Sequence, residues 1–243
     1  MCANLTSKDR VRKALRHEEP DKVPLGIYDG LASGIHHITY RKLRDYLDLQ
    51  KSEVEIFDRI QQLALLEEDF KETIKTDVEG IFTEDPAAWT FERSEDEDYH
   101  YFDDEFGITW RKPKEGGLYY DMYKHPLQQA ESAEEIEEYS FIDPADENRF
   151  VNVEQDIKQA REKEKAIIVN TNTGGMFELA LWIRGFAELY MDMAGSPEMA
   201  ETLLDKTLDY KLKYWDAFLD HVDEDFFIVA EADDIASQNS TLI

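Results

Sequence analysis

The chain has 243 residues, 27 of them basic and 55 acidic, for a net charge of −28. That field repels nucleic acid and anionic membranes, and polyanionic substrates too unless bases are gathered locally. Apolar residues at 42% and aromatics at 12% give the composition of a folded protein, not a disordered chain. From the N-terminus, residues 6–19 read as a helix: Thr6 and Asp9 have capping-box spacing, Val11, Ala14 and Leu15 share a face, and Pro20 ends it. Lys22 to Gly26 follows as a short buried strand leading into an Asp29-Gly30 turn. A helix over about 39–49 carries Tyr40, Leu43 and Leu47. Ser52 and Glu55 suggest another capping box, with Ile56, Ile60, Leu63 and Ala64 as an amphipathic helical face, before a strand at Val78 to Phe82.

Residues 84–124 differ in texture. Short aromatic runs broken by turn residues predict an antiparallel excursion of two to four strands. Its first part, 84–105, holds ten acids and one base, Arg93, and reads as a solvated face rather than a cation site. An acidic helix-and-turn covers 131–147, and a helix covers about 150–163. Ala166 to Asn170 then forms a continuous apolar run, as in a strand buried on both faces. After Gly174-Gly175 a helix is expected over about 176–194. Ser196 and Pro197 start another, whose apolar face runs Leu203, Thr207, Tyr210, Tyr214, Ala217 and Phe218. Phe226 to Ala230 is the clearest strand, closing on Glu231-Ala232-Asp233-Asp234. Four parallel-type strands near 23, 78, 166 and 226, separated by helices, predict a parallel α/β sheet in a single domain over 1–243 with a β-rich insertion. The length is near the roughly 250 residues of an eight-stranded barrel, but the strand count falls short of one.

Cys2 is the only cysteine, which excludes an intrachain disulfide and a cysteine-based zinc cluster. No apolar segment flanks it and no run is long enough to cross a bilayer, so a lipid anchor and a membrane span are rejected and the cytoplasm is the expected location.

Several stretches resemble a known family. They are Ser7-Lys8-Asp9-Arg10-Val11 through Arg16-His17-Glu18-Glu19-Pro20-Asp21-Lys22-Val23-Pro24; Ser33-Gly34-Ile35; Phe57-Asp58 with Gln61-Gln62-Leu63-Ala64; Asp104-Glu105-Phe106-Gly107; Leu181-Trp182-Ile183-Arg184-Gly185; and Ala232 to Gln238. In this order they are similar to uroporphyrinogen-decarboxylase-like proteins, a superfamily that includes the decarboxylase of haem biosynthesis and corrinoid-dependent methyltransferases. The resemblance implies an incomplete (β/α)8 TIM-type barrel covering about two thirds of the usual length. In the methyltransferase branch a His-x-Cys pair and a later Cys bind zinc, at positions expected beyond residue 243. No metal ligand or cofactor is therefore assigned within this chain, and zinc is left to a longer relative. The decarboxylase branch carries arginines after its first strand, where this chain has Ile27 to Gly34 without one.

Barrel active sites lie at the C-terminal ends of the strands. That rule selects Asp233 and Asp234 as candidate catalytic residues and Asp29, His36, Asn170, Glu178, Glu231 and Gln238 as candidate substrate-binding residues. The bland alternatives are helix caps for Asp233 or Asp234, a lysine partner for Glu231, a surface or cap role for His36 and His37, and a packing salt bridge for Arg184-Gly185. The functional expectation is methyl transfer to a thiol or corrinoid, with a small methylated molecule or a corrinoid protein as partner. Uroporphyrinogen decarboxylation and a catalytically inactive fragment that packs as a homodimer are the alternatives.

Overall fold

The computed structural model describes residues 5–50 and 53–241. In chain order the elements are α1 (Ser7–Leu15), α2 (His37–Tyr46), β1 (Ile56–Asp58), β2 (Leu63–Ala64), α3 (Glu68–Ile74), β3 (Val78–Ile81), β4 (Arg93–Glu95), β5 (Tyr99–Asp103), β6 (Thr109–Pro113), β7 (Asp121–Lys124), α4 (Ala133–Glu138), a 3₁₀ turn (Glu147–Phe150), α5 (Val153–Glu162), β8 (Ala166–Asn170), α6 (Met176–Arg184), α7 (Phe186–Gly195), α8 (Pro197–Asp220) and β9 (Phe227–Ala230). A parallel sheet runs β3-β8-β9, a four-stranded antiparallel sheet runs β4-β5-β6-β7, and β1 and β2 make a small hairpin.

The centre of the parallel sheet is β8, with all five residues buried. Its register with β3 pairs Val78 with Ala166 and Ile81 with Val169; with β9 it pairs Ile167 with Phe227 and Asn170 with Ala230. Alternate side chains serve opposite faces. Ile167 and Val169 pack with Ile157 of α5 and Tyr214 and Phe218 of α8, whereas Ala166 and Ile168 pack with Val11, Tyr28 and Val78. A strand buried on both faces must be apolar throughout, and that accounts for the unbroken run. On α8, Leu203, Thr207, Tyr210, Tyr214 and Phe218 follow 3–4-residue spacing and are each at most 3% exposed. Each such large apolar side chain contributes roughly 1.5–3 kcal/mol relative to exposure.

The antiparallel excursion is a four-stranded meander whose Phe102 and Trp110 enter one core with helices α6 to α8. Asp104 to Gly107 is its central turn. The Asp104 carboxylate accepts the N–H groups of Phe106 (2.9 Å) and Ile108 (3.0 Å), and Gly107 takes φ +75°, where a side chain would be strained.

Five expectations are corrected. The segment near residue 23 forms no strand, so the parallel sheet has three strands rather than four among the described residues. Pro24 has no N–H to give a ladder. The segment is instead fastened by polar side chains: Leu25 N–H donates to Asp77 (2.9 Å), and the Thr76 hydroxyl donates to Leu25 O and Ile27 O. Residues 53–64 form the β1–β2 hairpin rather than a helix, because the Asp58 carboxylate turns the chain by accepting Gln61 N–H and Gln62 adopts φ +58°; Ser52 lies outside the described residues. Helix α1 keeps its Thr6–Asp9 capping box but stops at Leu15, well before Pro20, with His17 at φ +59°. The stretch expected as one helix over 176–194 is two, α6 and α7, broken at Gly185 with φ +98°. The Arg184 guanidinium binds Asp192 at 2.7 Å across that break, as the packing reading expects. Finally, Ser196 precedes α8 without any capping hydrogen bond from its hydroxyl.

Candidate functional site

The three parallel strands end side by side, and the segments that follow them open into a cleft of about 600 Å³. Thr83 to Asp85 leave β3, Thr171 to Gly174 leave β8, and Ala232 to Asp234 leave β9; the antiparallel sheet and the β1–β2 turn form the opposite wall. Ligand clefts of parallel α/β proteins occupy this position because helix N-termini and free loop ends converge there.

Glu178 and Asp233 meet at the N-terminus of α6. The Asp233 carboxylate accepts Phe177 N–H at 2.9 Å and Glu178 N–H at 2.7 Å, so a residue after β9 caps a helix that follows β8. This approach requires Gly175: a Cβ there would lie 2.3 Å from Asp233 Cγ and 2.4 Å from Ala232 O. Burial, with Asp234 and Asp233 as neighbouring like charges, pushes the Glu178 carboxyl up to about 7. Its carboxyl and the Trp182 indole converge over Gly174, where a Cβ would lie 2.5 Å from Glu178 Oε2 and 3.0 Å from Trp182 Cη2.

On the opposite wall, burial pushes Asp104 up to about 7, against three donors that favour the carboxylate: Trp110 Nε1–H at 2.8 Å and the two backbone N–H groups of the turn. Burial also raises Asp58. Two arginines reach the cleft, and both are engaged. Arg59 forks onto Asp85 at 2.7 and 3.0 Å with its guanidinium over Trp89 and Phe91, 5.3 and 4.9 Å from the ring centroids. Arg149, 1% exposed, pairs with Glu105 and donates to the Tyr210 hydroxyl.

The structure thus gathers three of the sequence-selected residues, Glu178, Asp233 and Asp234, into one cleft. Glu231 lies beside it, bound by Lys211 at 3.0 Å and by Trp215 Nε1–H at 2.7 Å. Asn170 is 5% exposed within the sheet; its amide donates to Ile168 O and its carbonyl oxygen accepts from Tyr28. Asp29 is buried away from the cleft, accepting from Leu66 N–H and pairing with Lys71 at 2.8 Å. His36 caps α2 and contacts Leu118 O, and Gln238 is exposed in the segment after β9. Sequence reasoning missed Asp58, Asp104 and the Glu105–Arg149 pair. The run Asp104 to Gly107 was visible as a motif, whereas nothing local joins Arg149 to a partner 44 residues away.

No family model matches the chain, and no curated protein matches it in sequence. Among solved structures it is similar to a methyltransferase from Methanosarcina mazei, 17% identical, with a TM-score of 0.55 over 98% of this chain. The chain spans 62% of that protein's length. At this identity the likeness is one of fold. Among the described residues no helix is long and apolar enough to cross a membrane, and no three His, Cys, Asp or Glu side chains are grouped to hold a metal ion. A zinc thiolate does not fit the described residues, which include no cysteine.

Proposed function

We propose that the cleft is the donor chamber of a methyl-transferring enzyme of the uroporphyrinogen-decarboxylase-like type, acting on a small methylated molecule. The observation that carries this reading is the convergence of Glu178, Asp233 and Asp234 on one cleft at the C-terminal ends of the parallel strands, where burial and the neighbouring charges push the Glu178 carboxyl up to about 7. Methyl transfer breaks a bond between carbon and a heteroatom. The methyl group passes to a nucleophile, a reduced corrinoid or a thiolate, and the bonding pair stays on the heteroatom. Glu178, protonated near pH 7, gives its proton to that heteroatom, as the bond breaks where the donor is neutral and to the released amine where the donor is a cation; an acid whose pKa lies near the working pH is best suited to the task. Asp233 fixes the start of α6 and so holds the Glu178 backbone, and Asp234 keeps the Glu178 proton bound through its charge. The likeness of fold to a methyltransferase supports the same reading.

Uroporphyrinogen decarboxylation is less well supported. A polycarboxylate needs free guanidinium groups, and Arg59 and Arg149 are already bound to Asp85 and Glu105. The test supplies ¹³C-methyl amines, ethers and thioethers together with a reduced corrinoid or a thiol, and follows the label by NMR. Transfer is expected, with a loss of about 10²–10⁴-fold in Glu178→Gln. No transfer from any donor class, or full activity in Glu178→Gln, contradicts the proposal.

A further inference from the structure

We infer that the cleft selects a methylated cation, a quaternary or tertiary ammonium or a sulfonium, through its combination of aromatic faces and uncompensated carboxylates. The inference rests on the methyl-transfer reading for the fate of that ligand, but not for its binding. Eight carboxylate side chains and two guanidinium groups line the cleft. Each guanidinium is taken by one carboxylate, Arg59 by Asp85 and Arg149 by Glu105, and the excess is negative. The buried ammonium behind the floor, Lys211, is engaged by Glu231 at 3.0 Å and by the Thr171 hydroxyl, so it offsets little of that charge. An anionic ligand would enter against this field and meet two arginines already bound to carboxylates.

Eight aromatic side chains also line the cleft. Phe57, Phe82, Trp89 and Trp182 are each half-buried and border the open space, with Phe57 set edge-on to Phe82 at 4.3 Å and Trp182 edge-on to Trp110 at 5.3 Å. Aromatic faces attract cations within about 6 Å of the ring centroid, and alkylated ammonium groups are favoured because they shed water at little cost. The cleft already contains one such arrangement built from its own side chains: the Arg59 guanidinium over Trp89 and Phe91 with Asp85 as counterion. Trp182 beside Glu178, with Asp233 and Asp234 adjacent, offers the same two ingredients on the side where the proton-bearing acid stands. When such a cation loses a methyl group to the acceptor, the neutral amine or sulfide keeps the bonding pair. An amine then takes the Glu178 proton and leaves as an ammonium ion beside a carboxylate.

The discriminating experiment compares choline with its neutral isostere 3,3-dimethylbutan-1-ol by calorimetry and by tryptophan fluorescence, three of the four tryptophans being in the cleft. Choline is expected to bind about tenfold or more tightly than the isostere. Asp234→Asn, an exposed position, is expected to narrow that ratio, and Trp182→Leu to weaken choline binding and diminish the fluorescence response. Equal or tighter binding of the neutral isostere, no choline binding at millimolar concentration, or preferential binding of an anionic thiol such as 2-mercaptoethanesulfonate overturns the inference. Choline binding without methyl transfer from any donor contradicts the enzymatic reading alone. Methyl transfer from a neutral donor without cation preference contradicts this inference alone.

Discussion

The two ends of the parallel sheet use the same residue types to opposite ends. At the N-terminal end of β3, Asp77 is 1% exposed and saturated: it accepts from Ser7 Oγ at 2.8 Å, Arg10 Nη1 at 2.5 Å and Leu25 N–H at 2.9 Å, while Arg10 also forks onto Asp21. Arg10 hydrogen-bonded to Asp21 holds that carboxyl well below the usual aspartate range, and Asp77 is lowered as well because its three N–H and O–H partners and the Arg10 charge outweigh its burial. At the C-terminal end, Glu178, Asp233 and Asp234 crowd together and the two arginines are spent elsewhere, so burial and like charge raise a carboxyl pKa instead. A carboxylate matched to its donors stabilises a fold. Carboxylates set against one another destabilise it, and are retained where chemistry uses the stored proton affinity.

Substitutions at the N-terminal end of the sheet, the floor beneath β3, should cost the most stability. Asp77→Ala removes one of the two carboxylates on the Arg10 guanidinium and the fastening of Leu25, so denaturant unfolding should show a loss of about 3 kcal/mol. A loss under about 1 kcal/mol would mean that the floor is no more a structural centre than the cleft. Gly175→Ala drives a methyl group into Asp233 and Ala232 O, with an expected cost of about 1–3 kcal/mol in thermal or chemical unfolding. It should also weaken choline binding, because Asp233 must move. Asp233→Ala removes the cap on Phe177 N–H and Glu178 N–H and should cost about 1 kcal/mol. Glu178→Gln should leave stability unchanged or slightly raised at neutral pH while activity is lost; clear destabilisation would make Glu178 a structural residue.

The pH dependence follows from the same asymmetry. Glu178 titrates in the unfolded chain near 4.5 and in the fold near 7, so between these values the folded state binds more protons and stability falls as pH rises. Asp77 and Asp21, lowered in the fold, act with the opposite sign: their contribution is full above the unfolded aspartate value near 3.8 and fades as the pH falls below it. Unfolding free energies measured from pH 4.5 to 7 should decline in the native protein and decline less in Glu178→Gln.

Legibility in the sequence followed the range of the interaction. The strand at 166–170 was readable because burial on both faces demands an unbroken apolar run, that at 227–230 from its apolar run alone although its residues are half-buried and Val229 is exposed, and the face of α8 because helical spacing fixes it. The hairpin at 56–64 was not readable: Ile56 and Ile60 are four residues apart, as on a helix, and the Asp58 turn that decides against one is a single side-chain hydrogen bond. Near residue 23 the apolar pattern suggested a strand, but Pro24 and the distant Asp77 determined the backbone pairing. With that strand lost, Asp29 turns to Lys71 and His36 to the start of α2, away from the cleft. Position after a strand end was enough to find Glu178, Asp233 and Asp234. It was not enough to find Asp104 or Arg149, which join the cleft through contacts between distant segments.

Burial, joined by the like charges of Asp234 and Asp233, sets the Glu178 carboxyl near 7. A ¹³C NMR titration of the Glu178 side-chain carboxyl, in the native protein and in Asp234→Asn, measures this directly. The expected midpoint lies near 7 in the native protein and moves down when the Asp234 charge is removed. A midpoint near the ordinary 4.5 in both proteins would contradict it.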